Sequence, residues 1–463
     1  MHSQPAGFLE DEVVPPVLPA TACHVLSRRE ALGLLLGAPA TPRLGTTAAD
    51  LLAMQASGPS ATLGAAEHAL LEDLSRRSFR FFWEQGDPNT GQVRDRARTD
   101  GSLHVPAQRD VASIAATGFG LTALAIAAAR GWESREALIG RARHTLRHLA
   151  GEMPHERGWF YHFVNAKTGA REWSCELSSI DTALLLAGVL TVRQAFSSDA
   201  GIARDAKAIY ERIDFPWMLN GHPHLLSMGW KPESGFLNAR WKHYCELMVL
   251  YLLGIGSPSH PLPAASWHAW ERPVMKFDGF RYIGAADPLF VHQFSHAWVD
   301  FRGRTETRTG IDWFENSVTA TRAHKAFCLS LAREFPGYGE HVWGITASDS
   351  AKGYVAWGGP PRHPAIDGTV VPCAAAGSLM FTPDICVPVV RTLRNRWGDR
   401  VYGRYGFVDA FRPADDWTNP DVIGIDVGIT LLAAENLRSG LVWQLFMANE
   451  EIAAALSAVT SAR

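Results

Sequence analysis

Trp173-Ser-Cys-Glu176-Leu-Ser-Ser-Ile-Asp181-Thr-Ala-Leu-Leu-Leu-Ala-Gly188 is the stretch whose reading decides the fold. Asp181 and Thr182 sit in a first helical turn, and from Ala183 to Leu190 the run is apolar on every side apart from Gly188. A helix with no polar stripe has no solvated face, so this one is predicted to lie inside a larger assembly. Glu176 precedes it in an expected loop, with Ser178 or Ser179 as the N-cap, and a carboxylate at that end is favoured by the helix dipole. Capping and solvating a buried helix is the plain reading of Asp181.

Two helix styles alternate along the chain. Val111 to Ala129 is Ala, Leu, Ile and Gly almost throughout, whereas Ser134 to Ala150 keeps Leu138, Ala142 and Leu149 on one stripe among charged positions. The first style is buried all round and the second covers it. The pair recurs as Ile180 to Phe196 followed by Ile202 to Ile213, and further helical stretches are expected at 240–254, 288–299, 311–334, 367–378, 382–396, 422–437 and 441–458. Inner and outer helices repeated around a ring predict an all-α fold, an (α/α)6 toroid, with short β-hairpins in the loops over one end.

The longer connectors are where function is expected. Gly158-Trp-Phe-Tyr-His-Phe-Val-Asn-Ala-Lys-Thr-Gly169 alternates apolar residues and reads as a hairpin feeding Glu176. A second aromatic loop, Met228 to Phe236, carries Trp230 and Glu233. It leads to Trp241-Lys-His243-Tyr244-Cys-Glu246, where Glu246 is expected inside a buried helix. A carboxylate so placed is paired, with His243 or an arginine, or it is chemically employed, because burial penalises its charge. Glycoside cleavage needs one protonated and one ionised carboxyl on opposite sides of the scissile bond, a division that Glu176 and Glu246 would fill.

Composition bounds the alternatives. The chain has 463 residues, 47% hydrophobic and 20% charged, with a net charge of −3. That length buries a large core, and no basic surplus suggests a nucleic-acid partner. Many of its 16 tryptophans and 22 phenylalanines must be core, but an abundance of indoles also suits a cleft in which flat faces lie against the apolar faces of sugar rings. Trp230 and Trp357, on loops, are the candidates for such contacts. Cysteines at 23, 175, 245, 328, 373 and 386 form neither a disulfide framework nor a zinc pattern.

Ser27-Arg28-Arg29-Glu30-Ala31-Leu32, followed by Gly33-Leu-Leu-Leu-Gly-Ala-Pro-Ala40, reads as a twin-arginine export signal over residues 1–40. Residues 41–64 read as a disordered linker and 65–463 as one catalytic domain. A periplasmic or secreted location follows as an expectation. No apolar run reaches the length of a membrane span, so integral membrane association is not expected.

Together the segments resemble the glycoamylase-like family of (α/α)6-barrel proteins, which includes glycoside hydrolase family 144 endo-β-1,2-glucanases and the transglycosylating domain of cyclic β-1,2-glucan synthases. The resemblance rests on Phe79-Arg-Phe-Phe-Trp83, Asp95-Arg96, Ala115-Ala-Thr-Gly-Phe-Gly-Leu-Thr122, Ser179 to Gly188, Tyr244-Cys-Glu246 and Leu253-Gly-Ile-Gly-Ser-Pro258. It continues through His292-Gln-Phe-Ser-His-Ala-Trp298, Asp300-Phe-Arg302, Trp343 to Asp349, Asp367-Gly-Thr369, Tyr405-Gly-Phe407, Asp409-Ala-Phe411 and Gly424-Ile-Asp426. It implies hydrolysis or transfer at β-1,2-linked glucose, by inversion in the endo-hydrolases, with Glu176 and Glu246 on the catalytic positions.

Glu246, as the more buried, is expected to hold the proton, and Glu176, in the looser loop, to be ionised, with about 6.5–9.5 Å between them if the enzyme inverts. Asp181, Asp349 and Asp426 are supporting or alternative carboxylates. His292 and His296, one helical turn apart, are either donors to sugar hydroxyls or core residues. Metal use is disfavoured, because Gln293 stands where a zinc HExxH helix has Glu. Arg302 binds substrate or pairs with Asp300, and His243 contacts substrate or Glu246. No cofactor or metal is expected. The alternatives are a retaining transglycosylase, an exo-acting hydrolase on another glucan, or a glycan-binding protein without activity.

Overall fold

Helices with no polar face can satisfy their surroundings only by packing on one another, and here they close into a ring. The computed structural model describes residues 63–102, 104–285 and 288–462. The expected export signal and linker residues 41–62 lie outside them. The helices of five residues or more are α1 (Ala65–Gln85), α2 (Ile114–Arg130), α3 (Arg135–Gly151), α4 (Ser179–Ala195), α5 (Ala200–Glu211), α6 (Met248–Ile255), α7 (Phe294–Trp298), α8 (Trp313–Ser330), α9 (Pro372–Ala376), α10 (Pro383–Trp397), α11 (Gly424–Arg438), α12 (Leu441–Met447) and α13 (Glu450–Val459).

The inner ring is α2, α4, α6, α7, α9 and α11: α2 packs on α4, α4 on α6, α6 on α7 and α9 on α11, and α11 returns to α2. At the head of α7, Gln293 Nε2 donates to Ala374 O and Ser378 Oγ, both at 2.8 Å, which ties α7 to α9. Every residue of α2 from Ile114 to Ala127 is buried, as the apolar run predicts. The outer helices bury one stripe each: in α3 this is Leu138, Ala142, Leu146 and Leu149, and in α5 Ile202, Ala206 and Ile209. Ser134 and Asp199 cap these two helices.

The closest inner contact joins α2 to α4. A methyl group on Gly188 would lie 2.1 Å from Gly118 O, and one on Gly118 would lie 2.2 Å from Leu184 O. The two backbones therefore touch, which only glycine permits.

The C-terminal stretch read as one helix is two. Asn449 breaks it: its Nδ2 donates to Leu190 O and Phe446 O, and its Oδ1 accepts from Arg193 and Gln194. As a result α12 crosses the C-terminal end of the ring against α4, α7 and α11, while α13 completes the outer layer beside α6.

Short strands collar the other end. They are β1 (Arg96–Arg98), β2 (Val111–Ser113), β3 (Phe163–Asn165), β4 (Leu177–Ser178), β5 (Gly229–Lys231), β6 (Gly235–Phe236), β7 (Ala347–Ser350), β8 (Gly353–Ala356) and β9 (Asp421–Ile423). All pairs are antiparallel: β1 with β9, β2 with β3, β4 with β5, β5 with β6, and β7 with β8. Strands β2, β4 and β9 run straight into α2, α4 and α11, so three inner-helix N-termini face the collar. The hairpin expected over 158–169 divides: Trp159–Phe160 pairs back with His155–Glu156, while β3 pairs with β2. The edge of β2 beside it offers a longer ladder than the segment's own turn.

No helix among the described residues is long and apolar enough to cross a membrane. No disulfide joins the five cysteines among them.

Three imidazoles are sealed in this core. Burial pushes His292 and His296 down to about 3 and His324 to about 4, so the folded protein holds them neutral. The unfolded chain binds these protons near pH 6.5. Their contribution to stability is therefore complete above that pH and is lost as pH falls toward 4, each ring withdrawing up to about 1.4 kcal/mol per pH unit. Urea unfolding is expected to show a clearly lower midpoint at pH 5 than at pH 7, and equal midpoints would refute this account.

Candidate active site

Glu176 is turned inward by the segment before it. Trp173 and Ser174 adopt left-handed backbone angles (φ 52° and 49°), and Arg171 secures the turn by donating to Ser174 O at 2.8 Å and Cys175 O at 2.5 Å. The expected loose loop around Glu176 is corrected here, since the side chain is enclosed and 1% exposed. Across β4, Gly229 leaves the room it needs: a methyl group there would lie 2.6 Å from Glu176 Cγ. Ser178 caps α4, accepting from Asp181 N at 3.2 Å and donating to Asp181 Oδ2 at 2.6 Å.

Between the two acids stands His162, which the sequence had not singled out. Its Nδ1 is 3.1 Å from Glu176 Oε1 and its Nε2 is 3.5 Å from Asp181 Oδ2. The trio is close enough to suggest a cation site. However, the carboxylates face different ring nitrogens, Glu176 at Nδ1 and Asp181 at Nε2. The arrangement suits hydrogen bonding rather than coordination.

Glu246 is 2% exposed, so burial does not separate it from Glu176 as proton holder. It lies not within a helix but in the turn ahead of α6. The backbone there is committed to another segment: Tyr244 N donates to Glu271 O at 3.1 Å, and Glu271 N to Lys242 O at 3.0 Å, so the helix starts later. Ser295 Oγ of α7 donates to Glu246 O at 2.5 Å and accepts from Val249 N at 3.0 Å, which fixes the turn. Trp241 Nε1 donates to Ser179 Oγ at 2.7 Å, joining this segment to the head of α4. The two glutamates thus stand at the heads of adjacent inner helices.

His292, neutral in the core, lies 3.1 Å through Nδ1 from the Tyr244 hydroxyl. His243, half-buried, bridges to Glu271 through the backbone. Trp230 on β5 pairs with Leu177 and rests half-buried against Trp217.

A second carboxylate cluster lies on β1, β7, β9 and the segment before β9. Asp349 Oδ2 accepts from Arg96 at 2.8 Å and from Asn419 at 3.1 Å, and Asp349 N donates to Asp409 Oδ2 at 2.9 Å. Asp421 accepts from Arg98 at 2.9 Å, and its other oxygen lies 2.8 Å from His104 Nε2. Burial opposes charge on Arg96, but Asp95, Asp349, Asp409 and Asp421 outweigh it and hold the guanidinium charged. Asp409 is pushed well above the usual carboxylate range, first by burial and then by Asp349 and Asp426. Its Oδ1 has no hydrogen-bond partner and, with Asp426, Cys373 and Tyr405, it lines a small cavity. Asp409 lies in the motif Asp409-Ala-Phe411, where nothing local marks it out from other acids. Its raised carboxyl depends on burial and on Asp349 and Asp426, which come from distant segments of the chain.

Three candidates are placed elsewhere. His296 packs among Phe301, Phe314 and Phe381 with Nε2 3.2 Å from Ser317 Oγ, and so it is a core residue. Trp357, just past β8, is 1% exposed and donates to Ser348 Oγ of β7 at 3.0 Å, so its indole is packed within the protein. Arg302 forks onto Asp300 at 2.8 and 2.7 Å and lies over Trp443 beside Gly440. Gly440 follows the C-terminus of α11, about 20 Å from Asp426 in the first turn. Arg302 is therefore at the closed end of the barrel.

The Glycoamylase family model matches residues 238–450. A solved "putative glucoamylase" from Bacteroides fragilis is 30% identical and superposes with a TM-score of 0.79, covering 88% of this chain and all of that one. An endo-β-1,2-glucanase from Chitinophaga pinensis, solved with sophorotriose and glucose, is 26% identical with a TM-score of 0.78, covering 85% of this chain and 98% of its own. An exo-β-1,2-glucooligosaccharide sophorohydrolase from Parabacteroides distasonis is 26% identical over 90% of this chain, which spans 61% of that relative's length. With its six inner helices and this match along almost its whole length, the chain belongs to the glycoamylase-like family of (α/α)6-barrel proteins.

Proposed function

We propose that the protein is a glycoside hydrolase that cleaves β-1,2-glucan by an inverting mechanism, using Glu176 and Glu246. The observation that carries this reading is the pair of buried carboxylates at the heads of two adjacent inner helices. Helices packed side by side stand about 8–10 Å apart. An inverting pair needs about 6.5–9.5 Å with room for one water, and the heads of neighbouring inner helices are compatible with that spacing. The linkage is supported by the names of the Chitinophaga and Parabacteroides relatives.

The test is incubation with β-1,2-, β-1,3-, β-1,4- and α-1,4-glucans, with NMR of the first anomer released. The α-anomer from β-1,2-glucan alone is expected. Cleavage of another linkage, or retention, overturns the reading, and tight binding without product makes the protein a glycan binder. An exo-acting mode is the second reading, favoured by the Parabacteroides sophorohydrolase. Release of a single short product from the start of reaction would establish it.

We also infer export through the leader that carries Arg28 and Arg29. Replacing both with Lys is expected to retain the protein in the cytoplasm, and unchanged fractionation would refute export by this route.

A further inference from the structure

The trio His162, Glu176 and Asp181 goes beyond a pair of catalytic acids. We propose that His162 is a positioning residue that commits one oxygen of Glu176 and leaves the other, Oε2, as the base that takes the proton of the attacking water. This rests on the hydrolase reading above and assigns a role within it.

Each nitrogen of His162 faces a carboxylate, Glu176 Oε1 at 3.1 Å and Asp181 Oδ2 at 3.5 Å. An ionised carboxylate only accepts, and a neutral imidazole has a single N–H. Both contacts are satisfied only when two protons are shared among the three groups, most simply as an imidazolium between two carboxylates. The ring has no freedom to leave this position. It stacks on Phe163 at 3.9 Å and 15°, while His162 N donates to Glu176 O at 3.0 Å and His162 O accepts from Ile114 N at 3.2 Å.

The consequence falls on Glu176. Oε1 is held, the side chain is wedged against Gly229, and Oε2 is buried with no hydrogen-bond partner. A buried carboxylate oxygen left unbonded is costly unless a ligand fills the place, and the ligand this chemistry calls for is water. In the reaction, the water O–H bond breaks toward Oε2 as the water oxygen bonds to the anomeric carbon. The glycosidic C–O bond breaks and the leaving oxygen takes the proton of Glu246. Glu176 ends protonated and Glu246 ionised, and exchange with solvent resets both. Throughout, His162 keeps its proton toward Oε1, while Asp181, itself held by Ser178, faces its other nitrogen.

The experiment combines histidine-selective 15N NMR of the wild type with kinetics of His162→Gln and Asp181→Asn. At pH 7 both nitrogens of His162 are expected to carry protons, and Asp181→Asn is expected to leave one. His162→Gln is expected to lower kcat, per folded molecule, about 10- to 100-fold with KM within about threefold, as loss of an orienting partner does. A purely structural histidine would lower the melting temperature and leave kcat per folded molecule unchanged. A singly protonated ring in the wild type, or kcat within about twofold in His162→Gln, overturns the proposal while leaving the hydrolase reading intact. A wild type that cleaves no glucan overturns both. Should His162→Gln not fold, Asp181→Asn and the wild-type spectrum carry the decision.

Discussion

Glu246→Gln is expected to reduce kcat on β-1,2-glucan by about 10²- to 10⁴-fold with little change in KM, and Glu176→Gln by a similar factor. The replacement keeps the shape of the side chain in two sites that are almost fully buried, so loss of activity is not loss of fold. Both glutamates are equally enclosed, and burial therefore does not say which donates the proton. A substrate with an acidic leaving group does: such a group departs without protonation, so it restores turnover to the variant lacking the acid and not to the one lacking the base. Restoration in Glu246→Gln alone is the expected result. Restoration in Glu176→Gln instead would exchange the roles and remove the task assigned to Oε2. Near-normal turnover in either variant on the natural substrate would take that residue out of the mechanism.

Gly188→Ala should destabilise the fold by about 3 kcal/mol or more, although helix propensity taken alone predicts a gain of about 1 kcal/mol. The new methyl would lie 2.1 Å from Gly118 O, and its neighbours are backbone atoms of α2 that no rotamer change can move. Relief requires α2 and α4 to separate, and both belong to the closed ring. Gly140→Ala on the exposed side of α3 is the matched control. Nothing lies within 4 Å of its added methyl, and it should stabilise the protein by about 0.5–1 kcal/mol. Urea unfolding of the two variants checks the contrast. A Gly188→Ala protein as stable as the parent would mean that α2 and α4 do not touch as described.

The same two residues show what kind of information periodicity carries. Gly188 was legible as part of a run apolar on all sides, which identifies α4 as an inner helix, and the striped runs at α3 and α5 marked the outer layer. Those patterns depend only on how much of each helix is shielded from water, a local property of the chain. Glu176 and Glu246 were also legible, because a carboxylate next to an unbroken apolar run is anomalous wherever the chain folds.

The remaining features depend on what stands opposite. Arg302 and Trp357 looked like substrate contacts until the ring put one at the closed end and packed the other within the protein. His296 has the spacing of a ligand and the surroundings of a core residue. The start of α6 was placed too early, because residues 242–244 pair with Glu271, which no local pattern announces. Glu176 reads as a loop residue, yet β4, Gly229 and His162 enclose it.

By itself, then, the sequence determined the ring of inner and outer helices and the two acids at its mouth, since burial and helix periodicity are written into each segment. Only the tertiary structure decided that His162 bridges Glu176 to Asp181, that burial, Asp349 and Asp426 push Asp409 up, and that His296, Trp357 and Arg302 stand away from the two glutamates. Those outcomes arise from charges and hydrogen bonds between segments far apart in the chain, and such energies exist only once closure of the ring has brought the segments together.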